Sequence, residues 1–284
     1  MDTSAKVIAR GKTKELREVL GEPGIVEAIA FNDITALDGD ETEWFPNKGV
    51  YATQVNHYTM QLLKKAGIPV AYKKRTGTNK WHMQECAMWP YEVVAVRQVT
   101  EKSSIRKRNP ELAIGERFQP LEMALFLKTT KGRYGNFAFE KGDPFVVSEG
   151  SRGILVCRPD RPPGVGNPVT LISAEVLFKD GRAHDLNAIR FLANRAFIVL
   201  EWAWKQQGCT LCDLKVEFGV SLDGRLLLAD VIDPDSWRLL SLYGAHLDKQ
   251  PFRDKSLSLE IIAERYREVA ERVAAFDKLS PSKY

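Results

Sequence analysis

Apolar residues recur every three or four positions between residues 187 and 207. Ile189, Leu192, Ala193, Ala196, Phe197, Leu200, Ala203 and Trp204 form one stripe, and Gly208 follows as a stop. This spacing predicts a buried helix. Leu259, Ile262, Tyr266, Val269, Val273 and Phe276 predict a second, amphipathic helix over 258–276. Val50, Thr53, Gln54, Val55, Tyr58, Leu62 and Leu63 predict a third over 50–66, closed by Lys64-Lys65 and Gly67. Elsewhere the period shortens to two. From Leu211 to Val220 the residues Asp213, Lys215 and Glu217 alternate with Leu214, Val216 and Phe218. Asp223-Gly224 then signals a hairpin, with Arg225 to Ile232 as the return strand. Ala5–Ala9, Ile25–Phe31, Val70–Tyr72 and Tyr91–Val96 read as further short strands. Residues 129–186 hold many Gly and Pro and are expected to be irregular. No repeat of fixed period is present.

Composition narrows the class without naming it. The 284 residues are 44% hydrophobic and 27% charged, ordinary values for a folded protein. The net charge of +4 is too mild to imply a nucleic-acid or membrane partner. The polar start, Asp2-Thr3-Ser4, lacks the apolar core of a signal peptide. No apolar run reaches the roughly 18 residues of a membrane span. Cys86, Cys157, Cys209 and Cys212 are too few for a disulfide framework, and Cys209-x-x-Cys212 has no second pair to complete a zinc site. A cytoplasmic protein is expected.

Three segments carry candidate chemistry. If Asp223-Gly224 is a two-residue turn, Leu222 pairs with Arg225, and Glu217 comes opposite Asp230. Two facing carboxylates repel. Either the register is off by one and the face is solvated, or a cation sits between them. Hard oxygen ligands suit Mg²⁺, completed by phosphate and water. Asp233, Asp235, Ser236 and Arg238 follow within a few residues. In the second segment, Gly11-Lys12-Thr13-Lys14 joins two strands and offers a close backbone approach and point charges for phosphate, without Walker A spacing. Third, Ser103-Ser104-Ile105-Arg106-Lys107-Arg108 reads as a phosphate pocket or as a solvated basic turn.

In this order the segments resemble the SAICAR synthetase family. The matches are Gly11-Lys12-Thr13-Lys14-Glu15, Asp33-Ile-Thr-Ala-Leu-Asp38-Gly39, Lys48-Gly49, Ala66-Gly67-Ile68-Pro69 and Met88-Trp89-Pro90-Tyr91-Glu92. They continue with Asp213-Leu-Lys215-Val-Glu217-Phe-Gly219, Asp230-Val-Ile-Asp233-Pro-Asp235-Ser236-Trp-Arg238, Asp248-Lys249 and Phe252-Arg253-Asp254. The resemblance implies an α+β, two-lobed fold. A kinase- and ATP-grasp-like N-terminal lobe would span 1–90, and an α/β substrate- and metal-binding lobe 91–284, with 129–186 as an insertion. It implies an ATP- and Mg²⁺-dependent carbon–nitrogen ligase of purine biosynthesis. That ligase activates the carboxylate of CAIR as an acyl phosphate and joins it to L-aspartate. It further implies ATP contacts from Gly11, Lys12, Thr13 and Lys14, with adenine at Cys86 to Met88. Metal falls to Glu217 and Asp230, and catalysis to Asp213, Lys215 and Arg238. Substrate contacts fall to Asp38, Lys48, Arg97, Ser103, Ser104, Arg108, Asp235, Ser236 and Arg238. The partners are small molecules, and a homo-oligomer is compatible with the sequence.

Two departures stand out. The family has a Gly-Ser pair before its Lys-Arg, where Ser103-Ser104 stands here with extra residues after Arg97. The family's Lys-Asp…Asp-Pro stretch matches either Asp143-Pro144 or the segment ending in His184-Asp185. A ligase of the same fold acting on another nucleotide or amine is the alternative reading.

Overall fold

The computed structural model describes residues 5–36, 39–139, 143–162, 166–177 and 184–281. They form two compact units. The first comprises residues 1–88, 195–211 and 218–284, and the second 89–194 and 212–217. The chain crosses between the units at 88/89, 194/195, 211/212 and 217/218.

In the first unit, strands run in the order Val7–Arg10, Lys14–Glu18, Ile25–Ala30, Lys80–Gln84, Tyr72–Arg75, each antiparallel to its neighbour. Period-two burial explains the sheet: Val26, Ala28 and Ala30 point inward from one strand, and Trp81 and Met83 from the next. A hairpin, Asp33–Ala36 with Glu41–Trp44, packs Ile34 and Ala36 against Phe252, Ile262 and Tyr266. The predicted helices stand at Lys48–Lys65 and Leu259–Val273 and pack on each other. Ser258 caps the second by accepting from the Ile261 N–H. The predicted helix over 187–207 stands at Leu186–Gln206, and its Trp204 meets Trp237 and Phe276 edge-on at 5.4 and 4.9 Å.

In the second unit, strands run in the order Pro168–Ser173, Gly153–Cys157, Phe145–Ser148, Arg117–Leu127, followed by residues 89–98 of the strand Cys86–Gln98 and residues 212–217 of the strand Thr210–Ser221. Residues 129–186, expected to be irregular, therefore contain ordered antiparallel strands. Gly and Pro punctuate the turns between runs such as Ile154-Leu155-Val156, which are apolar and partly β-branched.

The hairpin register differs from expectation by one. Phe218 pairs with Leu228, Gly219 with Leu227 and Val220 with Leu226, and the Ser221 N–H donates to Arg225 O at 3.0 Å. The loop is three residues, Leu222-Asp223-Gly224, with Gly224 at φ 82°, a conformation that favours glycine. The ladder ends at Leu228, so the inferred pairing of Glu217 with Asp230 is not made.

Candidate functional site

The first unit concentrates buried charge. Lys48 opens its helix with a side chain 1% exposed, and its Nζ lies 3.3 Å from Asp235 Oδ2 and 4.0 Å from Asp233 Oδ2. Lys249 Nζ reaches the same Asp235 oxygen at 3.3 Å, and the buried Tyr266 hydroxyl donates to Asp235 Oδ1. Two carboxylates thus face two ammonium groups away from water, where unpaired charge is costly. Burial pushes Asp235 upward, but Lys48, Lys249 and Tyr266 outweigh it and hold the carboxyl below the usual range. Asp233 is raised, by burial first and then by Asp235. Burial lowers Lys48, and Asp235 and Asp233 more than offset it, so the ammonium is held on. Burial keeps Lys249 below its ordinary value. The Ser236 hydroxyl hydrogen-bonds Val231 O at 3.2 Å and accepts from the Asp233 N–H. These bonds close the turn that aims both aspartates.

Gly11, Lys12 and Thr13 form the tight connection between Val7–Arg10 and Lys14–Glu18, closed by the Gly11 N–H on Lys14 O at 2.8 Å. Lys14 makes an ion pair with Asp230. Cys86 and Met88 lie against Gly219: a Cβ at that position would come within 2.9 Å of Cys86 Cβ and Met88 Sδ. Burial, then Glu85, pushes the Cys86 thiol up to about 11, which disfavours the thiolate. Arg238 lies on the Trp237–Leu240 strand. Asp38 lies outside the described residues. Close to it in sequence, Asp40, Glu41 and Glu43 line a groove of about 520 Å³ floored by Phe252 and Ile262. Lys255 lines the same groove and pairs with Glu41 at 2.6 Å.

In the second unit, Asp213, Lys215 and Glu217 share one strand, as the alternation predicts. Glu217 is 3% exposed and accepts from Lys215 Nζ at 2.7 Å and Lys128 Nζ at 2.6 Å. Lys215 also lies 3.0 Å from Glu92. Asp213 is buried. Arg97 donates to Phe118 O at 2.7 Å, and Ser103 to Thr100 O at 2.8 Å. Ser103 precedes the Ser104–Arg108 helix, whose Arg108 is 4% exposed instead of solvated. The site set read from sequence lacks Asp233, Lys249, Tyr266, Glu92 and Lys128. Asp233, Lys249 and Glu92 carried a signal as members of quoted motifs; Tyr266 and Lys128 carried none for the site.

Glu217 and Asp230, in different units, each carry the hard carboxylate oxygens Mg²⁺ prefers, and each faces a cation within its own unit. Among the described residues no three His, Cys, Asp or Glu side chains gather as a metal cage. Mg²⁺ does not need one, because it takes one or two carboxylates beside substrate phosphates.

The sequence model of SAICAR synthetase matches residues 7–142 and 170–273. The chain belongs to the SAICAR synthetase family. It is 30% identical over 275 residues to the phosphoribosylaminoimidazole-succinocarboxamide synthase of Roseiflexus sp. (strain RS-1), covering 95% of this chain and 96% of that one. It is 32% identical over 277 residues to the human bifunctional phosphoribosylaminoimidazole carboxylase/phosphoribosylaminoimidazole succinocarboxamide synthetase. There it covers 94% of this chain but only 58% of the human protein, and 57% of the Drosophila melanogaster one. The fold is that of a SAICAR synthetase (Type-2) in complex with ADP, with TM-score 0.73, 24% identity, and 95% and 98% of the two chains covered. A SAICAR synthase from Saccharomyces cerevisiae complexed with SAICAR follows at TM-score 0.57 and 17% identity, covering 100% of this chain and 97% of that one.

The unmatched residues, 143–169, include Asp143-Pro144, whereas His184-Asp185 falls inside the matched stretch. Asp185 caps the Leu186–Gln206 helix by accepting from the Asn187 and Ala188 N–H groups. His184 stacks on Trp89 at 4.5 Å.

Proposed function

We propose that this chain is an ATP-dependent ligase that joins L-aspartate to the carboxylate of CAIR, giving SAICAR. The observation that carries the reading is Glu217, a buried carboxylate bracketed by Lys128 and Lys215, in a chain matched to SAICAR synthetase along nearly its whole length.

In this reading a CAIR carboxylate oxygen attacks the γ-phosphorus of ATP, and ADP leaves. The amine of aspartate then attacks the acyl carbon, loses a proton, and phosphate departs with the former carboxylate oxygen. Every reactant is anionic, so positioned cations and excluded water supply much of the catalysis. Gly11 to Lys14 are assigned to the ATP phosphates, and Cys86 to Met88 to adenine. Lys215, Asp213 and Arg238 are assigned to the reacting imidazole nucleotide. Arg97, Ser103, Ser104 and Arg108 are assigned to its 5′-phosphate. Lys48, Asp235 and Ser236, with Asp38, are assigned to the nucleotide or amino-acid end. Glu217 and Asp230 would hold Mg²⁺, which when bound neutralises charge on the transferring phosphoryl group. Lys128 and Lys215 stand against the Glu217 carboxylate.

A cytoplasmic setting fits the cysteines, none of which is in a disulfide. Among the described residues no helix is long and apolar enough to cross a membrane.

The test is incubation with ATP, Mg²⁺, CAIR and aspartate, read by mass spectrometry. The expected result is the succinocarboxamide product with aspartate-dependent ADP release. Absence of product alongside intact ATP binding overturns the reading.

A further inference from the structure

Residues 143–169, outside the family match, bring one aromatic side chain onto the basic Ser104–Arg108 helix. Phe145 begins the Phe145–Ser148 strand and pairs with Phe126, and the Leu127 N–H donates to Pro144 O at 2.9 Å. Asp143 fixes the approach: its Oδ1 accepts from the Thr129 N–H at 2.6 Å and the Thr129 hydroxyl at 2.8 Å. The two rings meet edge-on, with centroids 5.8 Å apart. Over them lies the Arg108 guanidinium, 4.9 Å from the Phe145 centroid and 5.3 Å from that of Phe126.

Arg108 is 4% exposed, and its Nη1 finds no hydrogen-bond partner among the described residues. The Thr100 hydroxyl, in the same segment, is buried and likewise without a partner there. Aromatic faces balance a cation without consuming its N–H groups. They therefore keep a donor in reserve, at a standing cost that an anion can relieve.

We propose that Phe145 is a positioning residue for the nucleotide's phosphate: with Phe126 it fixes the Arg108 guanidinium, and through it the Ser103–Arg108 segment that meets that anion. This rests on the function proposed above. A segment outside the family match thereby takes part in substrate recognition.

The test compares wild type with Phe145→Leu, which keeps apolar bulk but loses the ring face, and Phe145→Tyr, which keeps the ring. KM and kcat are measured separately for CAIR and for ATP. Phe145→Leu is expected to raise KM for CAIR about fivefold, a partial loss because the Phe126 ring stays over Arg108, with kcat and the KM for ATP within about twofold of wild type. Phe145→Tyr restores the wild-type KM. A Leu variant with unchanged KM for CAIR overturns the proposal, as does an equal rise in both KM values, which marks general loosening. Failure of the wild type itself to form product overturns the function reading instead.

Discussion

The Lys48 ammonium stands 3.3 Å from Asp235 Oδ2 with its side chain 1% exposed, so its charge is balanced by protein and not by water. Removing Lys48 takes one of two ammonium groups from a buried pair of carboxylates. Lys48→Met is expected to destabilise the fold by about 3–5 kcal/mol in urea unfolding. A change below about 1 kcal/mol would show that water reaches Asp235 and screens it.

Glu217 is held differently. Its partners Lys128 and Lys215 have side chains 43% and 31% exposed, so water can take over when the carboxylate is lost. Glu217→Gln keeps the volume and removes the charge. Turnover is expected to fall at least about 100-fold, the scale of losing one preorganised electrostatic group. The melting temperature should move by only a few degrees, roughly the effect of a 1 kcal/mol loss. A collapse of the melting temperature would make the carboxylate structural.

Gly219 has no room for a methyl group beside Cys86 and Met88. Gly219→Ala must displace those two residues, at a strain of about 1–3 kcal/mol. If Cys86 to Met88 receive adenine, KM for ATP rises about tenfold while KM for CAIR holds. Parallel rises in both would separate this strand pair from nucleotide binding.

His246 offers a pH test. Its Nδ1 lies 2.9 Å from Asp248 Oδ2, which also accepts the Leu239 N–H. Burial pulls the imidazole down, but the bond to Asp248 and its charge push harder, so His246 ends above 6.5. Arg238 opposes this rise and Asp254 assists it. The folded state therefore favours the protonated ring. Its stabilising contribution is complete below pH 6.5 and fades as pH rises through the folded value. Thermal melts should show His246→Gln losing more stability at about pH 6 than at about pH 9. Equal losses at both would mean the pair contributes by packing alone.

The elements with strong periodicity were legible from sequence, because each buries a stripe against one neighbour. The Ile189–Trp204 and Leu259–Phe276 stripes needed only local spacing. The hairpin was half legible. Asp223-Gly224 marks a turn, but a glycine with positive φ closes both two- and three-residue loops, so the sequence does not choose the register. Residues 129–186 read as irregular because turn residues between short strands look like continuous irregularity. The Lys48–Asp235 pair spans 187 positions and exists only once the chain is folded. Tyr266 was legible as a core residue of its helix; that its hydroxyl reaches Asp235 was not. The same periodicity that buries a ring says nothing about its polar tip.

The three-residue loop at Leu222–Gly224 constrains future variation in this chain. Leu222 is 72% exposed, so replacing it disturbs little. Adding or deleting one residue there would slide Leu226–Leu228 along its partner and turn alternate side chains to the opposite face. Downstream lie Asp230, paired with Lys14, and then Asp233 and Asp235. That surface loop is thus open to substitution at Leu222, held to glycine at Gly224, and closed to changes in length.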